Sequence, residues 1–492
     1  MSIVPFVDRY RWVLLVLCLA LAARAAAAEP PHAYGAREMT AEERAYLDGK
    51  IFTVQRTKAP LPSSVRNTAY LPVVGDQGWM GSCVAFAACY YLKTYQEARE
   101  RGWLHPDPAV NPERVASPAF CYITNLRGPT AELTSGVNLW TSAQAMVDFG
   151  VGSWAEMPYN MALDANAWPD EAAWRRAISW RARQTGTIPG LDTQPGLDTL
   201  KEHLAGGDVA VISFIVCGSF DEYPSGDGSD NGVFYLNVGL VRSGHAVCVV
   251  GYDDSMAYTD AVTGRPRQGA FLIVNSWGSR WGVHEPSASP DTASRGFCWI
   301  AYDYFLAGKV AVEAMVLVDR IGYTPTRLAY VGINHPTGRA LDLELRGGDR
   351  EQPQWRRRVL PITNVGPLNL RIPVDLTELA ATDPLTYWLT LMDPADAGEL
   401  PDTGTVTDFA VEAIGQAPLV CPDVPLQTVK DWDQYLRLGV FPESGLDLGG
   451  LHIRDGSAAW GDYDGDGFPD LALTGLGFPT AGASAVAATR LL

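Results

Sequence analysis

The sequence predicts an α+β fold with more than one core, and three observations carry that prediction. After Cys83, the residues Val84, Ala88, Tyr91, Leu92 and Tyr95 recur at helical spacing until Gly102 stops the pattern. The runs 246–250 and 271–274 are short, apolar and rich in β-branched residues, as buried strands are. From about 311 onward, short alternating segments broken by Pro, Gly and Asp replace both patterns and read as an antiparallel β-sandwich.

The 492 residues are too many for one compact domain, and 47% hydrophobic with 19% charged residues is the composition of a globular chain. A net charge of −18 argues against nucleic acid or an anionic membrane surface as partner, since phosphates are met by an excess of Lys and Arg.

Residues 1–28 read as a secretory signal. Arg9 and Arg11 precede the apolar run 12–23, and Ala26-Ala27-Ala28 offers small residues for cleavage. The run is short for a bilayer span, so the expectation is an exported chain with no stable membrane anchor. Cys18 follows Leu17, where a lipidation signal would place a small residue, and no lipid is expected there. With Cys18 removed and Cys83 set aside, Cys89, Cys121, Cys217, Cys248, Cys298 and Cys421 form an even set that an exported chain can pair or keep as thiols.

Residues 29–60 are a polar lead-in. Thr40 and Glu43 have capping-box spacing, opening a short helix that Gly49 closes. The domain that follows, 61–310, is organised around Gly75-Asp76-Gln77-Gly78-Trp79-Met80-Gly81-Ser82-Cys83-Val84-Ala85-Phe86, a glycine-bearing loop delivering a cysteine to the first turn of a helix. A thiol attacks as thiolate, and a helix N-terminus with a nearby imidazolium lowers its pKa. Attack on an amide carbonyl develops an oxyanion, for which Gln77 and the N–H of Cys83 are candidate donors. A buried structural cysteine is the competing reading.

Ser243-Gly244-His245-Ala246-Val247 puts a histidine at the mouth of a strand, and Val274-Asn275-Ser276-Trp277-Gly278 puts an asparagine at the end of another. A base needs a third group to fix its ring, and an amide oxygen serves. Cys83, His245 and Asn275 would form that set. These blocks, with Gln77 and the run Asn275-Ser276-Trp277-Gly278-Ser279-Arg280-Trp281-Gly282, resemble the active-site blocks of papain-like cysteine peptidases.

The resemblance implies a two-lobed domain, one lobe helical and one barrel-like, that cleaves protein or peptide substrates without a cofactor. It further implies that Ser135 and Gly136 line the groove, that Trp277 covers the His–Asn pair, and that 29–60 is either a short pro-segment or a structural arm. A helix-entry glycine with no ligand is the other reading of Gly136. Met80 and Val84 depart from the family pattern, which points to a divergent, secreted bacterial-type branch. A transpeptidase or ligase using the same thioester, and a non-catalytic extracellular binding protein that kept the fold, are the rival functions.

The predicted sandwich strands are 310–318, 329–333, 340–345, 355–362, 368–372, 387–391 and 406–412, giving a domain over 311–414 that resembles the P-domain-like jelly rolls of secreted proteases. A linker over 415–427 leads to 428–492. There Asp462, Asp464, Asp466 and Asp470, with the Phe468 carbonyl, have the spacing of oxygen donors around a glycine turn that wraps Ca²⁺. The block resembles a single, incomplete FG-GAP or VCBS propeller-type repeat.

Overall fold

The structure, a computed structural model, describes residues 33–126, 132–224, 229–230, 232–260, 263–291, 293–336, 341–361, 367–382, 386–393, 403–429, 433–439, 453–461, 470–477 and 486–491. The expected signal, 1–28, lies outside them. No described helix is long and apolar enough to cross a membrane. The chain divides into two compact units, 1–438 and 439–492.

The first unit begins with an arm, 33–40, and the helix Ala41–Leu47, whose Thr40–Glu43 capping box forms as expected. The helix that carries Cys83 is α-helical over Cys83–Ala85, π-helical over Phe86–Lys93 and α-helical again over Thr94–Arg101. It is buried on every side through Ala98, which explains why apolar residues fill more than one face. Gly102 ends it in the left-handed conformation, at φ +69°.

Ser117 caps Pro118–Asn125, and the Asn138 side chain accepts the N–H groups of Trp140 and Thr141 to open Leu139–Asp148. That cap holds Gly136 and Val137 outside the helix, where their backbone groups are available to another chain segment.

Against these helices lies a sheet ordered Phe52–Thr53, Gln184–Pro189, Glu313–Val318, Ala210–Cys217, Val241–Thr259, Pro266–Val274, Phe297–Ala301, Val233–Phe234 and Ser229–Asp230, with Ser64–Arg66 added to Val241–Thr259. One expectation is corrected here. The segment 310–318, predicted as the first sandwich strand, instead pairs antiparallel with Gln184–Pro189 and touches Ala210–Cys217, so the catalytic-side sheet extends past residue 310. Its pattern of apolar residues fits either sheet, and only the non-local pairing decides.

Beyond it stand two antiparallel sheets. One is ordered Leu368–Asp375, Arg327–His335, Thr405–Ala413 and Leu419–Val420, with Leu426–Gln427 also on Thr405–Ala413; the other is Pro353–Arg358, Asp342–Gly348, Thr386–Met392 and Gln434–Gly439. Alternate residues such as Val331, Ile333, Leu343, Leu345, Leu389, Leu391, Val406 and Phe409 are buried in one continuous core, as a sandwich requires. The predicted linker 415–427 contributes two two-residue edge strands, Leu419–Val420 and Leu426–Gln427, between turns, and Gln434–Gly439, assigned by sequence to the terminal repeat, completes the second sheet.

A seam of buried charge joins the sandwich to the catalytic side. Arg181 Nη1 meets Asp375 Oδ2 at 2.6 Å with both side chains 2% exposed, and the Tyr323 hydroxyl donates to the same carboxylate at 2.5 Å. Within the catalytic side itself, Lys93, wholly buried, pairs with Glu97 at 2.5 Å and with Asp319.

The second unit contains a three-stranded antiparallel sheet, Ile453–Gly461, Asp470–Gly477 and Val486–Leu491. Asp462, Asp464, Asp466 and Phe468 lie outside the described residues, and of Asp470 only the strand position is described.

Candidate active site

Cys83 is the first residue of its helix, and the loop before it is held by the loop that carries Asn275. Gln77 N–H donates to the Ser276 carbonyl at 2.8 Å, and Gly278 N–H to the Gly75 carbonyl at 3.0 Å. Side chains reinforce this crossing. The Tyr91 hydroxyl, from the cysteine helix, donates to the Asn275 carbonyl and accepts from Gly75 N–H. The Tyr159 hydroxyl donates to the Gln77 carbonyl at 2.8 Å and lies 2.7 Å from Ser82 Oγ. Ser276 Oγ donates to Gln77 Oε1 at 2.7 Å, which fixes the amide with its Nε2 turned the other way.

His245 lies in the strand Val241–Thr259, opposite Phe214, and Asn275 directly follows Pro266–Val274. His245 Nε2 and Asn275 Oδ1 are 2.7 Å apart, and Trp277 lies over the imidazole with ring centroids 4.6 Å apart. Both members of the pair are 0% exposed, so the amide oxygen orients the ring without competition from water. The backbone N–H of Ala246, the next residue, reaches the Cys83 sulfur, which brings the histidine strand against the cysteine.

The arm runs through this cleft. Gln77 Nε2 donates to the Ala33 carbonyl at 2.8 Å. Ala36 N–H donates to the Gly244 carbonyl at 3.1 Å, Val137 N–H to the Gly35 carbonyl at 2.8 Å, and Arg37 N–H to the Val137 carbonyl at 3.2 Å, a parallel bridge. The Tyr34 ring packs edge-on to His245 and Trp277 at 6.1 and 5.9 Å, and its hydroxyl donates to Asp221. Asp221 is held in turn by Arg242 Nε at 2.7 Å.

Two glycines make the fit feasible: a Cβ on Gly35 would stand 1.8 Å from the Gly81 carbonyl oxygen, and one on Gly244 would stand 2.1 Å from that of Ala36. Asn138 Nδ2 on the Arg37 carbonyl and the Arg37–Glu43 pair tie the arm's far end to two helices.

The sulfur therefore faces the N–H of Gly35 and is fully buried. Burial pushes the Cys83 thiol up to about 11, while the backbone N–H groups of Ala246, Gly35, Val84 and Cys83 itself pull in the opposite direction. The expectation of a lowered pKa is corrected for this state: desolvation outweighs the dipole of the helix end.

Of the groove residues, Gly136 lies directly against the arm, where an added Cβ would be 2.5 Å from the Gly35 carbonyl oxygen, and Trp277 contacts Tyr34. Ser135 uses its polar atoms within its own turn, its carbonyl accepting from Tyr122 and its Oγ from Glu132 N–H.

Sequence reasoning missed Tyr34, Tyr91, Asp221 and Ser276. Ser276 stands inside a recognised block, whereas the others reach the site from parts of the chain whose approach only the fold reveals.

Among the described residues one acidic trio, Glu97, Glu100 and Asp319, has metal-like spacing. Lys93 and Arg101 already neutralise it, which leaves little for a cation to gain. The cysteines Cys83, Cys89, Cys121, Cys217, Cys248, Cys298 and Cys421 are all free thiols.

The family model for the papain family cysteine protease matches residues 136–285, a span that includes His245 and Asn275 and begins after Cys83. No curated protein matches the chain. Among solved structures, the chain is similar to xylellain, a cysteine protease from Xylella fastidiosa, at 20% identity and a TM-score of 0.42, over 59% of this chain and 96% of that one. It is similar to proCathepsin B S9 from Trypanosoma congolense at 16% identity and a TM-score of 0.40, over 60% of this chain and 88% of that one. A third similarity is to the cysteine protease and lectin-like domains of Cwp84, a surface layer associated protein of Clostridium difficile, at 12% identity and a TM-score of 0.37, over 79% and 90%. Residues 136–285 thus resemble the papain family cysteine protease, which puts the chain among enzymes of the cysteine-type peptidase class.

Proposed function

We propose that the chain is an exported peptidase that hydrolyses peptide bonds with Cys83 as nucleophile, His245 as base and acid, Asn275 as the group that orients His245, and Gln77 as an oxyanion donor. The observation that carries the reading is the 2.7 Å contact between His245 Nε2 and Asn275 Oδ1 beneath Trp277. With Nε2 committed to the amide, Nδ1 is the nitrogen that takes the Cys83 proton.

The sulfur then bonds to the scissile carbonyl carbon, and the oxyanion is met by Gln77 Nε2 and the N–H of Cys83. Collapse breaks the C–N bond as His245 gives its proton to the departing amine, leaving a thioester. Water, deprotonated by His245, attacks that thioester and releases the acid and the thiol.

In the same reading, the form with Ala33–Arg37 in the cleft is latent. The arm fills the oxyanion donor with the Ala33 carbonyl and presents an N–H to the sulfur, where a substrate would present a carbonyl carbon. A nucleophile facing an N–H has nothing to attack, which is why the arm blocks without being consumed. In this reading no cofactor enters the reaction, and the calcium expected from the sequence at Asp462–Asp470 has no part in it.

Cys83→Ala is expected to abolish hydrolysis and labelling by an epoxysuccinyl inhibitor while leaving the thermal unfolding transition in place. Peptide cleavage retained by that variant would refute the assignment.

A further inference from the structure

Beside Trp277 a cavity of about 440 Å³ opens to solvent. Its walls include three carboxylates, Asp76, Asp221 and Glu222, and three aromatic rings, Tyr223, Trp277 and Trp281. The one basic lining residue, Arg280, is exposed. Carboxylates set among indole faces form an environment for an organic cation, which gains from charge and from the ring quadrupoles together.

The cavity's position says which part of a substrate enters it. The amine that leaves must take its proton from His245, so the residue to which it belongs lies against the ring covering His245, and that ring is Trp277. The arm supplies a second, independent observation. The Tyr34 hydroxyl already donates to Asp221 at this cavity's edge, so a polypeptide in the cleft uses that carboxylate as an acceptor. When the arm leaves, that oxygen is vacated while Arg242 still holds the other one in place.

We infer that this cavity is a specificity site for a lysine or arginine side chain immediately following the scissile bond, with Asp221 and Glu222 as its anionic wall. The inference rests on the peptidase reading above, and it names the substrate class: polypeptides cut on the amino side of a basic residue.

The test uses the full-length protein carrying Gly35→Ala, whose added Cβ would stand 1.8 Å from the Gly81 carbonyl oxygen and so unseat the arm, and internally quenched peptides identical except for Lys, Arg, Ala or Glu after the cut. The Lys and Arg peptides are expected to show kcat/KM about tenfold above the Ala peptide, with the Glu peptide slowest. Glu222→Gln and Asp221→Asn should each narrow the Lys-to-Glu ratio, and Glu222→Arg should invert it. Because the readout is a ratio within one protein sample, partial misfolding does not imitate it. Cleavage with equal rates for all four peptides overturns the cation site and leaves the peptidase reading standing. Absence of both cleavage and Cys83 labelling in this arm-released protein takes down both.

Discussion

Where the catalytic side meets the sandwich, buried charges are joined side chain to side chain between regular elements. In the cleft, buried polar groups are joined largely to the main chain of an arm with no regular structure of its own. Arg181 and Asp375 have side chains 2% exposed and paired at 2.6 Å, with the Tyr323 hydroxyl on the same carboxylate. Removing one member of such a pair strands a charge in a dry interior. The arm instead holds on mainly through single hydrogen bonds to its main chain, 2.8 to 3.4 Å, with Tyr34–Asp221 and Arg37–Glu43 as its side-chain ties, each main-chain bond being of small net worth once water is offered in exchange. On the latent reading proposed above, one junction stays closed while the other can be undone without unfolding anything else.

The sharpest way to break that contrast is to cut the permanent junction. Asp375→Ala leaves Arg181 buried without its counter-charge and is expected to lower unfolding stability by about 3–5 kcal/mol, read by denaturant titration. An unchanged midpoint would make the seam no firmer than the arm.

The same carboxylate gives a pH signature. Burial alone would raise its pKa, but the Tyr323 hydroxyl, Thr377 and Arg181 hold it below the usual range. Its contribution is therefore fully present above the unfolded value of about 3.9 and is lost as pH falls through the lower folded value.

A smaller change should open the other junction. Gly35→Ala puts a Cβ 1.8 Å from the Gly81 carbonyl, and overpacking of this kind costs about 1–3 kcal/mol. The equilibrium between seated and released arm then shifts by about 5- to 150-fold, seen as higher full-length activity with unchanged thermal stability. Activity equal to wild type would show that the arm does not limit access.

The smallest effect refines the comparison. In the full chain, the rate of Cys83 alkylation should climb with pH toward about 11, because only the thiolate reacts and burial disfavours it. In Gly35→Ala, the plateau should move to lower pH as water reaches the sulfur. Coincident profiles would mean that the arm is not what dries the site.

Much of this was legible before any coordinates. The capping box at Thr40, the stop at Gly102 and the blocks around Cys83, His245 and Asn275 are local signals, written in adjacent residues. What stayed hidden was non-local. Nothing near 313–318 says that this strand turns back to pair with Gln184–Pro189, and the prolines of 415–427 suggest a tether where short edge strands form. The arm is the clearest case: Tyr34-Gly35-Ala36 looks like an ordinary lead-in until Gly35 is found against Gly81 and Gly136. The π-helical turns of Phe86–Lys93 were also missed, since their apolar spacing passes for an α-helix when every face is buried.

The short strand Phe52–Thr53, paired in parallel with Gln184–Pro189, fastens the chain just downstream of the arm to the body of the enzyme. Tethering keeps the blocking segment at an effective concentration on the order of millimolar beside its own groove, whatever the dilution of the protein. A nick between that strand and Tyr34 would end this advantage at once, because the freed fragment faces bulk solvent and escapes. On the latent reading proposed above, the fold would convert a weak, reversible contact into a single-use ratchet whose trigger is one broken bond.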